Sequence, residues 1–412
     1  MKQRSIPLRG RLTAGVLAGA AALALAACSS TSSSSTAGTT SSASSSSAAG
    51  SSASGGASLP SVIPVAYVGD QTGAAGYVGV QLLKGMQLRL DQLNASHFLG
   101  NSTIQLTVKD TQSNQQNAIS LMNQVASSNA LAVIGPLLSN EGLATEPIAA
   151  KAGLPYLEAV NEDEQILTMG NNIYRTTVSQ FQYNPLTIPY LQKNNVTSVA
   201  MVYDSDNPTL VQVGTQQYPG LLKKANMKLV SSDGIPIADT NVASLASKIA
   251  GENPGAVGLM VIGPQNPDLI TALRNDGYKG IIFGETAMQA GALKPAGALA
   301  NGVVYPMDYT PDLTYPTSQA FTKAFEAANP GTTPNAYDAE GYDTMTFLAN
   351  AIKDAPAATR AGLLKGMAAV AAKGFDGAVG PLKWFGTGNK NVTTPGVLVK
   401  WENGKETIAA LG

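Results

Sequence analysis

The sequence predicts an α/β protein in which two doubly wound parallel-sheet lobes are joined by a multi-strand hinge. Three observations carry this expectation. Short apolar runs alternate with stretches whose apolar residues recur at helical spacing, the pattern of buried parallel strands covered by helices on both faces. The alternation comes in two blocks, near 62–178 and 196–305. The last third abandons it: two helical stretches follow one another with no strand between them, so they must complete a core laid down earlier. The chain is therefore expected to return to the first lobe after about residue 306.

The N-terminus reads as an address. Met1 to Arg11 carries Lys2, Arg4, Arg9 and Arg11 without an acid, and Leu12 to Ala27 is apolar and small. That is a secretory layout, too short for a comfortable transmembrane helix. It ends in Leu25-Ala26-Ala27-Cys28, which resembles the lipobox of bacterial lipoproteins, where the Cys is lipidated and becomes the new N-terminus. Residues 1–28 are thus expected to be a lipoprotein signal, and Cys28 the lipidation site; the alternative is an ordinary signal peptide with an incidental Cys. Ser29 to Ser58 is almost wholly Ser, Thr, Ala and Gly. It cannot bury a core, and about 30 such residues reach roughly 30 Å as a flexible tether.

From Leu59 onward the pattern changes. Ile63 to Val68 is an apolar run, read as a buried strand, and Leu82 to Leu93 places Leu82, Met86, Leu90 and Leu93 at helical spacing. Ile104 to Val108 alternates like a strand, Asp110 to Ser113 offers caps, and Ala118 to Val125 reads as helix. Ala130 to Ile134 is a strand ending at Gly135-Pro136, then Glu141 to Ala152 a helix and Leu154 to Leu157 a strand. The second block runs Val196 to Tyr203 (strand), helix to about Asn226, Ala243 to Ala250 (helix), Ala256 to Ile262 (strand), Asp268 to Asp276 (helix) and Gly280 to Phe283 (strand). Helices at about Thr317–Ala328 and Asn335–Ile352 follow, then strands at Pro381–Phe385 and Gly396–Trp401. In such sheets the ligand sits outside the C-terminal strand ends, and two sheets facing one another place it in a cleft between them.

Composition excludes several classes. With 26 Lys+Arg against 27 Asp+Glu the net charge is −1, which argues against a nucleic-acid partner. One Cys and one His exclude an internal disulfide and argue against zinc sites and Cys/His or Ser/His/Asp catalysis. His97 lies in a polar turn and reads as a surface residue, while Trp384 and Trp401 read as core. No hydrolase, metalloprotease or nucleotide-binding motif is found, and Gly73-Ala-Ala-Gly76-Tyr-Val-Gly79 does not have the dinucleotide spacing. No cofactor is expected; paired carboxylates serving a glycosidase are the one enzymatic alternative.

The residues then resemble a known family. Val65 to Gly69 with Thr72-Gly73 and Gly76-x-x-Gly79, Lys109 to Ser113, Ala132 to Pro136 with Ser139, Tyr174 to Thr176, Ala200 to Asp204, Ala336 to Ala339 and Val379 to Trp384 follow in order across 62–402. Together they resemble the leucine/isoleucine/valine-binding protein family, type I periplasmic binding proteins of ABC importers. The resemblance implies two lobes, 62–179 plus 307–386 and 180–306 plus 387–412, closing over a small polar ligand. It implies delivery to an ABC permease with ATPase subunits, by a monomer that meets the membrane only through its lipid.

Carried over residue by residue, the resemblance places Ser139 where the family offers a Ser to a ligand carboxylate; a helix N-cap is the other role open to it. Where the family has a small Ala/Ser/Thr stretch, this chain has Glu158-Ala159-Val160-Asn161-Glu162-Asp163-Glu164, with Asn161 or Glu162 at the contact position. Either these acids face the cleft, and the ligand is cationic or a neutral polyol or amide, or they form a solvated loop capping the next helix. Gln180 lies on the first hinge crossing, where the family often has Asp. The family's Tyr-Gly after Tyr203-Asp204 is replaced by Ser205-Asp206-Asn207-Pro208. Gln265, with Asn266, either contacts the ligand or caps a helix; Glu285 either grips an ammonium or lies in a surface loop. Tyr77 and Tyr337 either stack on the ligand or pack the core. A sensor of the same fold and an adhesin remain the alternatives to import.

Overall fold

A computed structural model describes residues 59–239, 241–289 and 291–412. The expected signal (1–28), its Cys28 and the linker (29–58) lie outside the described residues. The first third of the described chain builds one wholly parallel sheet. In chain order it comprises β1 (Val62–Gly69), α1 (Gly76–Ala95), β2 (Thr103–Asp110), α2 (Gln115–Ala126), β3 (Ala132–Ile134), α3 (Ser139–Lys151), β4 (Tyr156–Glu158) and β5 (Ile173–Arg175). The sheet order is β2-β1-β3-β4-β5. β1 is central, and Ile63, Val65, Ala66, Tyr67 and Val68 are all buried because helices cover both faces. The cap of α2 falls on Asn114, whose Oδ1 accepts from the backbone N–H of Gln116 and Asn117. Asp110 instead ties down the loop after β1, accepting from Gln71 N at 2.9 Å and Thr72 Oγ1 at 2.7 Å.

The chain then crosses through α4 (Gln180–Tyr183) and α5 (Thr187–Lys193) to a second sheet. There follow β6 (Ser198–Asp204), α6 (Pro208–Gln212), α7 (Tyr218–Lys224), β7 (Lys228–Ile235), α8 (Ala243–Glu252), β8 (Ala256–Met260), α9 (Gln265–Asn275), β9 (Ile281–Gly284) and β10 (Val304–Met307). The chain next forms α10 (Pro316–Ala328), α11 (Ala336–Asp354) and α12 (Arg360–Lys373), then β11 (Phe375–Gly377), β12 (Gly380–Phe385), β13 (Asn391–Thr393), β14 (Val397–Glu402) and β15 (Lys405–Leu411). The second sheet runs β15-β14-β10-β9-β8-β6-β7. It is parallel from β10 to β7, and β14 and β15 add an antiparallel edge. β11, β12 and β13 form a small antiparallel sheet, joined to the first sheet's edge where Arg175 N–H donates to the Lys390 carbonyl.

Late in the chain, α11 packs directly on α1. A Cβ on Gly85 of α1 would stand 1.8 Å from the Asp338 carbonyl of α11, and one on Gly341 of α11 2.1 Å from the Leu82 carbonyl. Only glycine lets the two backbones approach this closely. Asn335 opens α11 with a capping box completed by Asp338. The chain thus passes between the sheets three times, at 175–198, 307–316 and 393–397. His97 is exposed, and Trp384 and Trp401 are buried.

Candidate functional site

Strand order turns back on itself between β1 and β3 in the first sheet and between β6 and β8 in the second. The loops leaving the C-terminal ends of strands diverge at such switch points and leave a crevice. Here the two crevices face one another across a cavity of about 70 Å³. The first body supplies Ala75, Tyr77 and Val78 after β1, Leu137, Leu138 and Ser139 after β3, and Val160 and Glu162 after β4. The second supplies Asn207, Thr209 and Leu210 after β6, Ile262 after β8, and Glu285, Thr286 and Ala287 after β9. Gln180 of α4 and Tyr337 and Glu340 of α11 close the remaining side.

The two bodies touch over this cavity. Ser139 Oγ and Thr209 Oγ1 are 2.8 Å apart, Tyr77 OH donates to the Ala287 carbonyl at 3.4 Å, and Ala336 N–H donates to Gln289 Oε1 at 2.7 Å. Both carboxylate oxygens of Glu162 are engaged by α4. Its Oε2 accepts from Gln180 N at 2.8 Å and its Oε1 from Tyr183 OH at 3.2 Å, while Tyr183 OH lies 2.5 Å from Thr286 Oγ1. The Tyr77 and Tyr337 rings meet edge to face with centroids 6.4 Å apart.

Of the residues singled out in the sequence, Tyr77, Ser139, Glu162, Gln180, Glu285 and Tyr337 line the cavity, and Asn161 and Gln265 do not. Asn161 Oδ1 accepts from Asp163 N at 3.0 Å, which shapes its own loop. Gln265 Nε2 donates to the carbonyls of Pro236 at 2.7 Å and Asp239 at 2.8 Å, and Asn266 Nδ2 to that of Val261, so both residues pin loops of the second body. Ser139 is the first residue of α3 but makes no capping bond; its hydroxyl crosses the cleft. Of the acidic loop, Glu158, Glu162 and Asp163 are buried rather than solvated. Glu162 points into the cavity, whereas Glu164 pairs with Arg175 Nη1 at 2.8 Å and is half-exposed. The main contributors not singled out are Asn207, Thr209, Thr286 and Glu340. Glu340 follows Tyr337 by three residues, the spacing that puts both on one helix face.

Burial governs the electrostatics. It pushes the Glu162 carboxyl up to about 7, partly offset by the Gln180 N–H bond and the Arg175 charge. It pushes Glu285 up to about 8, offset by the Ala287 N–H bond and reinforced by the charges of Glu162 and Asp204. Burial holds Asp308 and Glu340 well above the usual carboxylate range, reinforced at Asp308 by the charges of Glu162 and Asp343 and at Glu340 by those of Asp308 and Glu162. Among the described residues no Lys, Arg or His lines the cavity. A carboxyl whose pKa is raised on folding binds its proton more tightly in the native state. The unfolded chain releases that proton first, so stability is greatest below the unfolded pKa and is lost as pH rises through the folded one. The unliganded protein is therefore expected to melt at progressively lower temperature from about pH 5 to about pH 8. Calorimetric scans across that range check this; a melting temperature that rises with pH would mean that these acids are ionised and paired.

The chain matches the family model described as "Periplasmic binding protein" over residues 62–406. Among curated relatives, the leucine-specific-binding protein of Salmonella typhimurium is 24% identical over 362 residues, covering 84% of this chain and 93% of the relative. Among solved structures, a leucine-binding protein, LivK, of Thermotoga maritima superposes with a TM-score of 0.77 at 19% identity, covering 85% of this chain and 98% of the other. A solute-binding protein of an ABC transporter from R. palustris, solved in complex with benzoate, gives a TM-score of 0.77 at 22% identity, covering 85% and 96%.

Proposed function

This chain belongs to the periplasmic binding protein family, and from that premise we propose that it is a lipid-anchored solute-binding protein delivering a small polar ligand to an ABC importer. Members of the family bind solutes outside the cytoplasm and are not enzymes. The ligand is an amino acid or a related amide, amine or aromatic acid. Residues 62–179 with 307–393 form one lobe and 180–306 with 394–412 the other; the last boundary lies beyond the expected 386 because β13 pairs with β12 and stays with the first lobe. The observation that carries the reading is the cavity itself: polar groups from both sheets converge on one space at two facing switch points. A solute that touches both faces favours the closed arrangement over the open one, and a permease can read that difference. The three chain crossings are suited to act as the hinge.

The anchor rests on Leu25-Ala26-Ala27-Cys28 after a basic segment and an apolar one. A single lipid anchor on Cys28 and a flexible tether would hold the folded part near the membrane without embedding it; among the described residues no helix is long and apolar enough to cross a membrane. Cys28→Ala is expected to move the protein from the membrane fraction to the soluble one. Retention of the variant in washed membranes would rule the anchor out.

Binding itself is tested by a thermal-shift screen of the full chain against amino acids, polyamines, amides, aromatic acids and sugars. A ligand bound only by the native state stabilises it by about 2.7 kcal/mol at a hundredfold excess over its dissociation constant. One chemical class raising the melting temperature supports the reading. A cooperatively melting sample with no hit from any class speaks against it.

A further inference from the structure

The residues lining the cavity narrow the solute class, taking the solute-binding reading as given. Three carboxylates, Glu162, Glu285 and Glu340, reach the cavity from three different parts of the chain, and among the described residues no basic side chain does. Two of them are incompletely used by the protein. Glu285 and Glu340 are each only 3% exposed, yet Glu285 Oε1 and Glu340 Oε2 accept no hydrogen bond from any protein group. A buried acceptor left without a donor is costly, and a bound donor removes that cost. Tyr77 and Tyr337 add aromatic rings to the same wall, and such rings attract cations. We propose that the solute is a small organic cation, an alkylamine or diamine with no carboxylate of its own.

A ligand carboxylate finds no counter-charge here. Arg175, a fully buried cation of the first body, lies outside the lining and is committed to Glu164, Asn391 and the carbonyls of Asn161 and Asp163. The starts of α1, α3, α6 and α11 border the cavity and their backbone N–H groups favour an anion, but three carboxylates already face that space. At α3, the one that also presents a serine, the first turn already carries the buried Glu141, and Ser139 Oγ is turned to Thr209.

An ammonium group is held best by ionised carboxylates, so binding is linked to proton release. The groups that set this linkage are Gln180 N–H, Tyr183 OH and Arg175 around Glu162; Ala287 N–H, Asp204 and Glu162 around Glu285; and Asp308, Glu162, Thr177 and Asp343 around Glu340. Apart from Arg175, the charged groups in this set are acids, and they oppose ionisation until a cation arrives. Affinity for an amine therefore rises with pH until these carboxylates are ionised in the free protein.

The test is calorimetric titration of the full chain in detergent with 1,4-diaminobutane, butylamine, the neutral 1,4-butanediol, leucine and benzoate. At least one amine should bind about tenfold or more tightly than the diol, and about tenfold or more tightly at pH 8 than at pH 6. Glu285→Gln should weaken amine binding by about tenfold or more. The comparison of amine with diol on the unmodified chain stands even if that variant does not fold. Preferential binding of leucine or benzoate overturns the cationic class and leaves the solute-binding reading intact. Amines that fail to bind, while another class in the wider screen does, have the same meaning. No binding by any class overturns the cationic inference together with the reading on which it rests.

Discussion

Gly85→Val should leave no cooperatively folded protein, and Gly85→Ala should cost about 3 kcal/mol or more. At this crossing of α1 and α11 each helix presents a glycine to the other's backbone: Gly85 faces the Asp338 carbonyl at 1.8 Å from an ideal Cβ, and Gly341 faces the Leu82 carbonyl at 2.1 Å. The obstructing atoms are main chain, so no rotamer change relieves the clash, and the helices must part. Their separation opens packing along the buried residues of both helices, including Leu82, Met86, Phe347 and Leu348. It also moves Tyr337 and Glu340, which α11 carries to the cavity. Urea denaturation of Gly85→Ala measures the cost, and an unfolding midpoint within error of the unmodified chain would show that the crossing tolerates a methyl group.

Arg175→Ala should destabilise by about 3–5 kcal/mol and weaken solute binding as well. The side chain is fully buried. Its guanidinium donates to Glu164 Oε1 at 2.8 Å, Asn391 Oδ1 at 3.0 Å, and the carbonyls of Asn161 at 3.3 Å and Asp163 at 2.7 Å. It thereby clamps residues 161–164 on both sides of Glu162, and joins that loop to the small β11-β12-β13 sheet through Asn391. Removing it strands several buried acceptors at once. Arg175→Lys keeps the charge but not the planar fork and should recover only part of the loss. By contrast Glu164→Gln, at a half-exposed partner, should cost no more than about 1 kcal/mol. Denaturation of the three variants separates these cases; an equal cost for Glu164→Gln and Arg175→Ala would mean that the ion pair, not the set of carbonyl contacts, holds the loop.

Much of the architecture is legible in the sequence because buried parallel strands announce themselves as apolar runs. β1, β3, β6, β8 and β9 all fall within or against the runs read there. The strands that the sequence hides are of another kind. β7 carries Ser231, Ser232 and Asp233 at a sheet edge and is nowhere continuously buried, and β15 is a largely exposed edge whose register slips between Leu398 and Val399 of its partner. β5 and β10 are no shorter than β3 and β9, but Arg175 and Pro306 interrupt their apolar runs. α12 escapes notice because its Ala- and Gly-rich sequence has little contrast between faces. The helix read in Thr317–Ala328 begins at Pro316, where proline suits the first turn.

The cavity was legible to the extent that its residues follow strand ends. Ser139, Glu162 and Glu285 each lie shortly beyond an apolar run, and the fold brings such positions together. Asn161 and Gln265 occupy equivalent positions in sequence, but their side chains satisfy neighbouring backbone groups. No periodicity distinguishes an amide that lines a cavity from one that shapes the loop beside it. Thr209 and Glu340 were hidden for the opposite reason: each lies within a helix, and only the packing of that helix turns it inward.

The central claim, that solute enters and leaves a cleft that opens and closes between the two sheets, is tested most directly by a reversible lock. Ser139 and Thr209 meet across the cleft with their hydroxyl oxygens 2.8 Å apart, so the double variant Ser139→Cys, Thr209→Cys places two thiols within reach of a disulfide. Titration of this protein with the solute identified by thermal shift should give one site per chain under reducing conditions and no measurable uptake once the bond has formed. Uptake of the same affinity and stoichiometry in the oxidised and reduced protein would contradict entry through this cleft.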